Sequence, residues 1–115
     1  MPYLKLNTNI SISDEKSTQL LGQISQLIAK ETNKPERYVM ITLEGDKVML
    51  FAANNEPLAF LECKSIGLSS AQCKSLASSL CQLLENTLLI PPERVYIEFS
   101  NCPADYWGWN SSTFG

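Results

Sequence analysis

The chain has 115 residues, 44% hydrophobic and 18% charged, with a net charge of −3; that suffices for a single core and excludes a disordered polyelectrolyte. A negative balance without a basic stripe excludes a protein that tracks nucleic-acid phosphates. No apolar run approaches the roughly 20 residues that span a bilayer, and no basic-then-apolar leader opens the sequence, so a cytoplasmic protein without membrane insertion is expected.

Met1-Pro2 leads into Tyr3-Leu4-Lys5-Leu6, and residues 3–8 read as a strand. A small residue after methionine favours removal of Met1, which would leave a free secondary amine on Pro2. An α-amine titrates near ~8, and apolar surroundings lower that value, so such an amine can serve as a base near neutral pH. The alternative is a strand-leading proline, tolerated because it owes the ladder no N–H.

Ser13 is a suitable N-cap, with Asp14 and Glu15 in the first turn, where the helix dipole favours acids. Leu20, Leu21, Ile24, Leu27 and Ile28 then share one face, which predicts a helix over 14–32 stopped by Asn33 and Pro35. Residues 38–44 predict a strand, Gly45-Asp46 a turn, and 47–51 the returning strand of a hairpin. After a loop at Asn54-Asn55-Glu56-Pro57, residues 58–66 predict a further strand ending at Gly67. Ser69-Ser-Ala-Gln72 has the form of a capping box, and Leu76, Ala77, Leu80, Leu83 and Leu84 predict a helix over 70–89. Pro91-Pro92 closes it, and 94–99 reads as the last strand. The tail from 101 carries Trp107, Trp109 and Phe114 among turn residues.

The tripeptide Pro35-Glu36-Arg37 recurs as Pro92-Glu93-Arg94, each time between a helix and a strand, at an interval near half the chain. The sequence therefore divides into pseudo-repeats of about 1–57 and 58–115 within one domain. Two right-handed βαβ units predict an α+β fold, a mixed four-stranded sheet with both helices on one face. Alternating residues of 38–43 and 58–66 suggest that the other sheet face is apolar, which would call for covering by further subunits.

Cys63, Cys73, Cys81 and Cys102 show no C-x-x-C spacing, and the chain has no histidine. Free thiols in a reducing compartment follow, without a metal site. Without histidine, acid–base chemistry falls to carboxylates, lysines, tyrosines or the terminal amine.

An ordered set of residues now spans the chain: Met1-Pro2, Asn7-Thr8-Asn9, Lys34-Pro35, Glu56-Pro57, Ser65-Ile66-Gly67, Arg94-Val95-Tyr96-Ile97, and Gly108-Trp109-Asn110-Ser111-Ser112-Thr113-Phe114. This set resembles the family of macrophage migration inhibitory factor and D-dopachrome tautomerase, within the tautomerase superfamily. The resemblance implies a homotrimer whose sheets surround a central channel. It implies a cofactor-free tautomerase of phenylpyruvate-type α-keto acids, with dopachrome-like compounds as further substrates and the N-terminal proline as base.

Carried over, Pro2 is the base and Lys34 the cation that meets the substrate's acid group, although a lysine near a helix C-terminus is also an ordinary solvated cation. The resemblance makes Ile66 a backbone contact and brings Tyr96 from a neighbouring subunit; an interface aromatic is the plainer reading of Tyr96. Tyr38, Trp107, Trp109 and Phe114 would form aromatic walls.

Four positions depart from the human member of the family. Glu98 replaces an asparagine, and a carboxylate there would raise the amine pKa or repel acids. Leu58 and Leu61 replace a C-x-x-C, so thiol–disulfide exchange does not carry over. Lys64 replaces a histidine at the pocket rim. The family's animal members also suggest a cytokine-like ligand for a protein receptor, released without a classical export signal. A trimeric scaffold with an unidentified small-molecule ligand is a third reading.

Overall fold

Both long helices begin at the residues whose side chains can cap them. In the computed structural model, which describes residues 1–115, Ser13 accepts a hydrogen bond from Lys16 N–H and opens α1, Asp14–Thr32. Ser69 and Gln72 form the reciprocal capping box that opens α2, Ser70–Leu88. Asn33 and Leu89 end the helices in left-handed conformations, with φ of 57° and 58°. Asparagine tolerates this region; leucine does so rarely, and here its side chain is left exposed.

Four strands form one sheet: β1 (Tyr3–Thr8), β2 (Met40–Glu44), β3 (Ala59–Ser65) and β4 (Val95–Asn101), in the order β2-β1-β3-β4. β1 pairs parallel with β2, and β3 parallel with β4, so each helix is a crossover within a βαβ unit. The units join through the antiparallel pair β1–β3, in which Tyr3 faces Lys64 and Thr8 faces Ala59. Leu4 and Leu6 of β1 and Ala59, Leu61 and Cys63 of β3 bury against Leu20, Ile24 and Ile28 of α1 and Leu76, Leu80 and Leu84 of α2. Ile41, Leu43, Val95, Ile97 and Phe99 extend this core to the sheet edges. The α+β architecture with both helices on one face is thus the one expected.

The face away from the helices differs from expectation. The apolar halves of the strands go to the helices, so the open face is not a continuous apolar surface. Its middle is a charged row, in which the register aligns Thr42, Lys5, Glu62 and Glu98. Large apolar and aromatic side chains on that face are confined to Tyr3, Met40, Phe60 and Tyr96.

The returning strand expected at 47–51 is also absent. Asp46 N–H donates to Ile10 O and Lys47 N–H to Thr8 O, which leads the chain past the end of β1 rather than back along β2. Residues 47–50 form no ladder, and Val48 and Leu50 are exposed to solvent. Strand-forming composition needs a partner edge, and the protomer offers none here.

Each crossover re-enters the sheet through a 3-10 turn, Glu36–Tyr38 in the first unit and Pro92–Arg94 in the second. Pro35 precedes its turn, whereas Pro92 is the first residue of its own. The recurring tripeptides are therefore one residue out of step, and Tyr38, not Arg37, is the counterpart of Arg94. Arg94 donates to the carbonyls of Phe51, Asn54, Glu56 and Pro57 at 3.0–3.2 Å and pins that loop. Asn9 and Thr8 hold the same loop from its other side through Asn55 O and Leu58 O. No helix is long and apolar enough to cross a membrane.

Candidate active site at the head of the first strand

Pro2 is fully buried, and its carbonyl accepts from Met40 N–H at 3.0 Å, which joins the start of β1 to the start of β2. Above this junction lies an open cavity of about 650 Å³, within the size range of small-ligand sites. Met1, Pro2, Tyr3, Tyr38, Met40, Trp107, Trp109 and Phe114 line it, together with Arg37, Lys64 and Tyr106.

The tail supplies one wall because it folds into a small hairpin. β5 (Gly108–Trp109) pairs with β6 (Ser112–Thr113) around Asn110 and Ser111, whose φ values of 50° and 65° suit a two-residue type I′ turn. Phe114 N–H then donates to Trp107 O at 3.1 Å. The Trp109 and Phe114 rings stack with centroids 5.5 Å apart, and both meet the Tyr38 ring edge-on at 5.4 and 5.9 Å. Three rings at mutually favourable angles make a rigid apolar wall.

The Met1 ammonium donates to Tyr38 O at 2.7 Å. Loss of hydration, and then the nearby Lys34 charge, lower its pKa from the usual 8.0 to about 6. Both causes disfavour the charged amine, so an amine held at this place is mostly neutral at pH 7. Burial likewise pushes the Cys63 thiol up to about 11, which marks it as an inert core thiol.

Of the residues singled out from the sequence, Pro2, Tyr38, Lys64, Trp107, Trp109 and Phe114 come together in this cavity. Lys34, at the end of α1, is not part of the lining and acts on the amine through its charge. Ile66 follows β3 outside the lining. Tyr96 and Glu98 lie on β4, at the sheet edge opposite β2, so they do not reach the cavity of their own protomer. Tyr96 is 63% exposed and packs against Phe51, with ring centroids 4.6 Å apart.

Sequence reasoning missed Arg37, Tyr3, Met40 and Tyr106 as lining residues. The alternation of β1 could have flagged Tyr3; the others lie on turns or an edge, where no periodicity marks a side. Ser65, next to Ile66 and outside the lining, is fully buried with an Oγ that has no hydrogen-bond partner. Since Tyr3 faces Lys64, continuing the register sets Ser65 opposite Pro2.

Comparison with known proteins places this arrangement. The family model for macrophage migration inhibitory factor (MIF) matches residues 1–115. A macrophage migration inhibitory factor homolog from Brugia malayi is 39% identical, covering 100% of both chains. The macrophage migration inhibitory factor of Mus musculus is 36% identical over 99% of both. Among solved structures, the homologue from Prochlorococcus marinus superposes with a TM-score of 0.92 at 36% identity, covering 98% of this chain and 99% of that one. The protein from Trichinella spiralis gives a TM-score of 0.88 at 32% identity, covering 97% and 99%. With its two helices on a mixed β2-β1-β3-β4 sheet and a match along its whole length, the chain belongs to the macrophage migration inhibitory factor family.

Proposed function

We propose that the protein is a cofactor-free tautomerase of phenylpyruvate-type α-keto acids, with Pro2 as its base once Met1 is removed. The family includes tautomerases and cytokine-like members. The observation that carries the reading is an amine at the head of β1 whose pKa burial and Lys34 depress to about 6, beside an aromatic cavity. Removal of Met1 would move the terminal amine one residue along the same strand, onto the buried Pro2. A neutral secondary amine there takes a proton from the carbon next to the substrate's carbonyl, and the enolate oxygen is then protonated. The Lys34 charge favours the substrate carboxylate, and the Tyr38–Trp109–Phe114 wall receives its ring. While Met1 remains, the Pro2 nitrogen is an amide without a basic lone pair, and the Met1 amine is tied to Tyr38 O.

The same reading makes the protein a homotrimer. Tyr96 and Glu98 stand on the edge away from the cavity, and Val48 and Leu50 form an exposed, unpaired stretch. An adjacent protomer would pair that stretch and bring its β4 residues to this cavity.

The test is turnover of phenylpyruvate by protein whose mass confirms loss of Met1, set against Pro2→Gly. The expected fall is about a hundredfold or more, the usual weight of a positioned base. Unchanged turnover in the variant would overturn the proline mechanism. A cytokine-like role at a protein receptor is the second reading, supported by the name that the curated relatives share. Receptor binding by Met1-free protein that lacks turnover would favour it.

A further inference from the structure

Arg37 stands at the rim of the cavity with its donors unspent. Its guanidinium carbon lies 4.8 Å from the centroid of the Tyr38 ring, so one face of the planar group is held against an aromatic wall residue. The edge of the group carries the N–H fork, and none of those donors meets an acceptor within the protomer. The protomer's only ion pair joins Lys47 to Glu44 and does not involve this turn. The other arginine that stacks on a ring, Arg94 over Phe51 at 5.3 Å, spends its edge on four backbone carbonyls. Arg37 has the same stacked posture without the acceptors.

The charge balance of the cavity sharpens the point. Arg37 and Lys64 both line it, Lys34 acts on it from outside, and the protomer's own lining holds no aspartate or glutamate, so Glu98 from an adjacent protomer would be one carboxylate against three cations. One substrate carboxylate engages one of these cations and leaves the rim positive. A guanidinium whose plane is fixed by stacking loses little freedom when it binds, and its fork matches a carboxylate with two parallel bonds.

We propose that Arg37 forms a second anion subsite at the mouth of the cavity, and that the preferred substrate is an aromatic α-keto acid with a second carboxylate at the far end of its ring. As a statement about substrates this rests on the tautomerase reading; as a statement about anion binding it does not.

The experiment compares phenylpyruvate with its para-carboxylate derivative as substrates of Met1-free protein. In parallel, the saturated acids 3-phenylpropanoate and its para-carboxylate derivative serve as unreactive ligands for titration calorimetry. The parent should prefer the dicarboxylate in both series by about fivefold, the reach of a well-placed but solvent-exposed ion pair. Arg37→Ala should abolish that preference, with the larger loss in the KM of the dicarboxylate; Arg37→Lys should retain part of the preference. Added salt should erode the parent's preference and leave the variant's unchanged. Equal affinity for the mono- and dicarboxylates in the parent would overturn the subsite, and so would a preference that survives in Arg37→Ala. Dissociation of the parent's oligomer by Arg37→Ala would assign the guanidinium to a contact between subunits and overturn it too. If neither keto acid turns over, the tautomerase reading fails alone, and the calorimetric pair still decides the subsite.

Discussion

The turns Glu36–Tyr38 and Pro92–Arg94 hold matching places in the two βαβ units, and their last residues serve opposite ends. Tyr38 N–H donates to Pro35 O at 3.0 Å and Arg94 N–H to Pro91 O at 2.9 Å, so the backbone at the two places is alike. From that backbone the Tyr38 ring turns to the cavity, where it meets Trp109, Phe114 and the Arg37 guanidinium. The Arg94 side chain turns instead into the loop 51–57 and bonds to the chain's own carbonyls there. One unit keeps its re-entry turn open to a ligand, and the other closes it with its own backbone. The two units thus differ at this turn, and the tail hairpin, which packs on the first turn alone, completes the cavity there.

The comparison breaks most visibly through stability. Arg94→Ala leaves up to four loop carbonyls without a charged donor and should cost about 2–3 kcal/mol, read as a shift in urea midpoint. Tyr38→Ala should cost less, about 1–2 kcal/mol for the lost ring contacts. It should nevertheless lower phenylpyruvate turnover by roughly tenfold or more, because substrate positioning goes with the wall. If Arg94→Ala damages activity more than stability, or Tyr38→Ala damages stability more than activity, the division of labour is wrong.

The smallest expected effect is a matched pair of pH shifts. For a base whose pKa lies below its ordinary value, activity rises as pH climbs through that pKa. Lys34→Ala removes a positive charge that disfavours the protonated amine, so the acid limb of the pH–rate profile should move to higher pH. Glu98→Asn removes a carboxylate that, contributed by a neighbour, would favour the protonated amine, so the limb should move to lower pH. Two shifts of the same sign would separate Glu98 from the site.

Local chemistry made much of the fold legible in advance. Ser13, Asn33 and the Ser69–Gln72 box mark helix ends because a cap depends on residues three or four positions apart, all visible in one window. The family resemblance singled out Pro2, Tyr38, Trp107, Trp109 and Phe114, and the fold brings them to one cavity. The strand expected at 47–51 failed because strand composition promises a partner without saying which edge supplies it. The tail hairpin was invisible because Asn110-Ser111 carries a weaker turn signal than the Asn-Gly pair. The step between the two Pro-Glu-Arg tripeptides hid that Tyr38 answers to Arg94. Arg37 escaped notice for a plainer reason: an arginine on a turn looks solvated until the ring beneath it is seen.

The hydrogen bond from the Met1 amine to Tyr38 O sets a clock as well as a geometry. A peptidase that trims the chain must grip a free, extended amine. In the folded protein that amine shares its cavity with Trp109 and Phe114, which the β5–β6 hairpin carries. Any trimming of Met1 should therefore run faster before the β5–β6 hairpin closes than after it, and loosening the hairpin should open Met1 to an aminopeptidase.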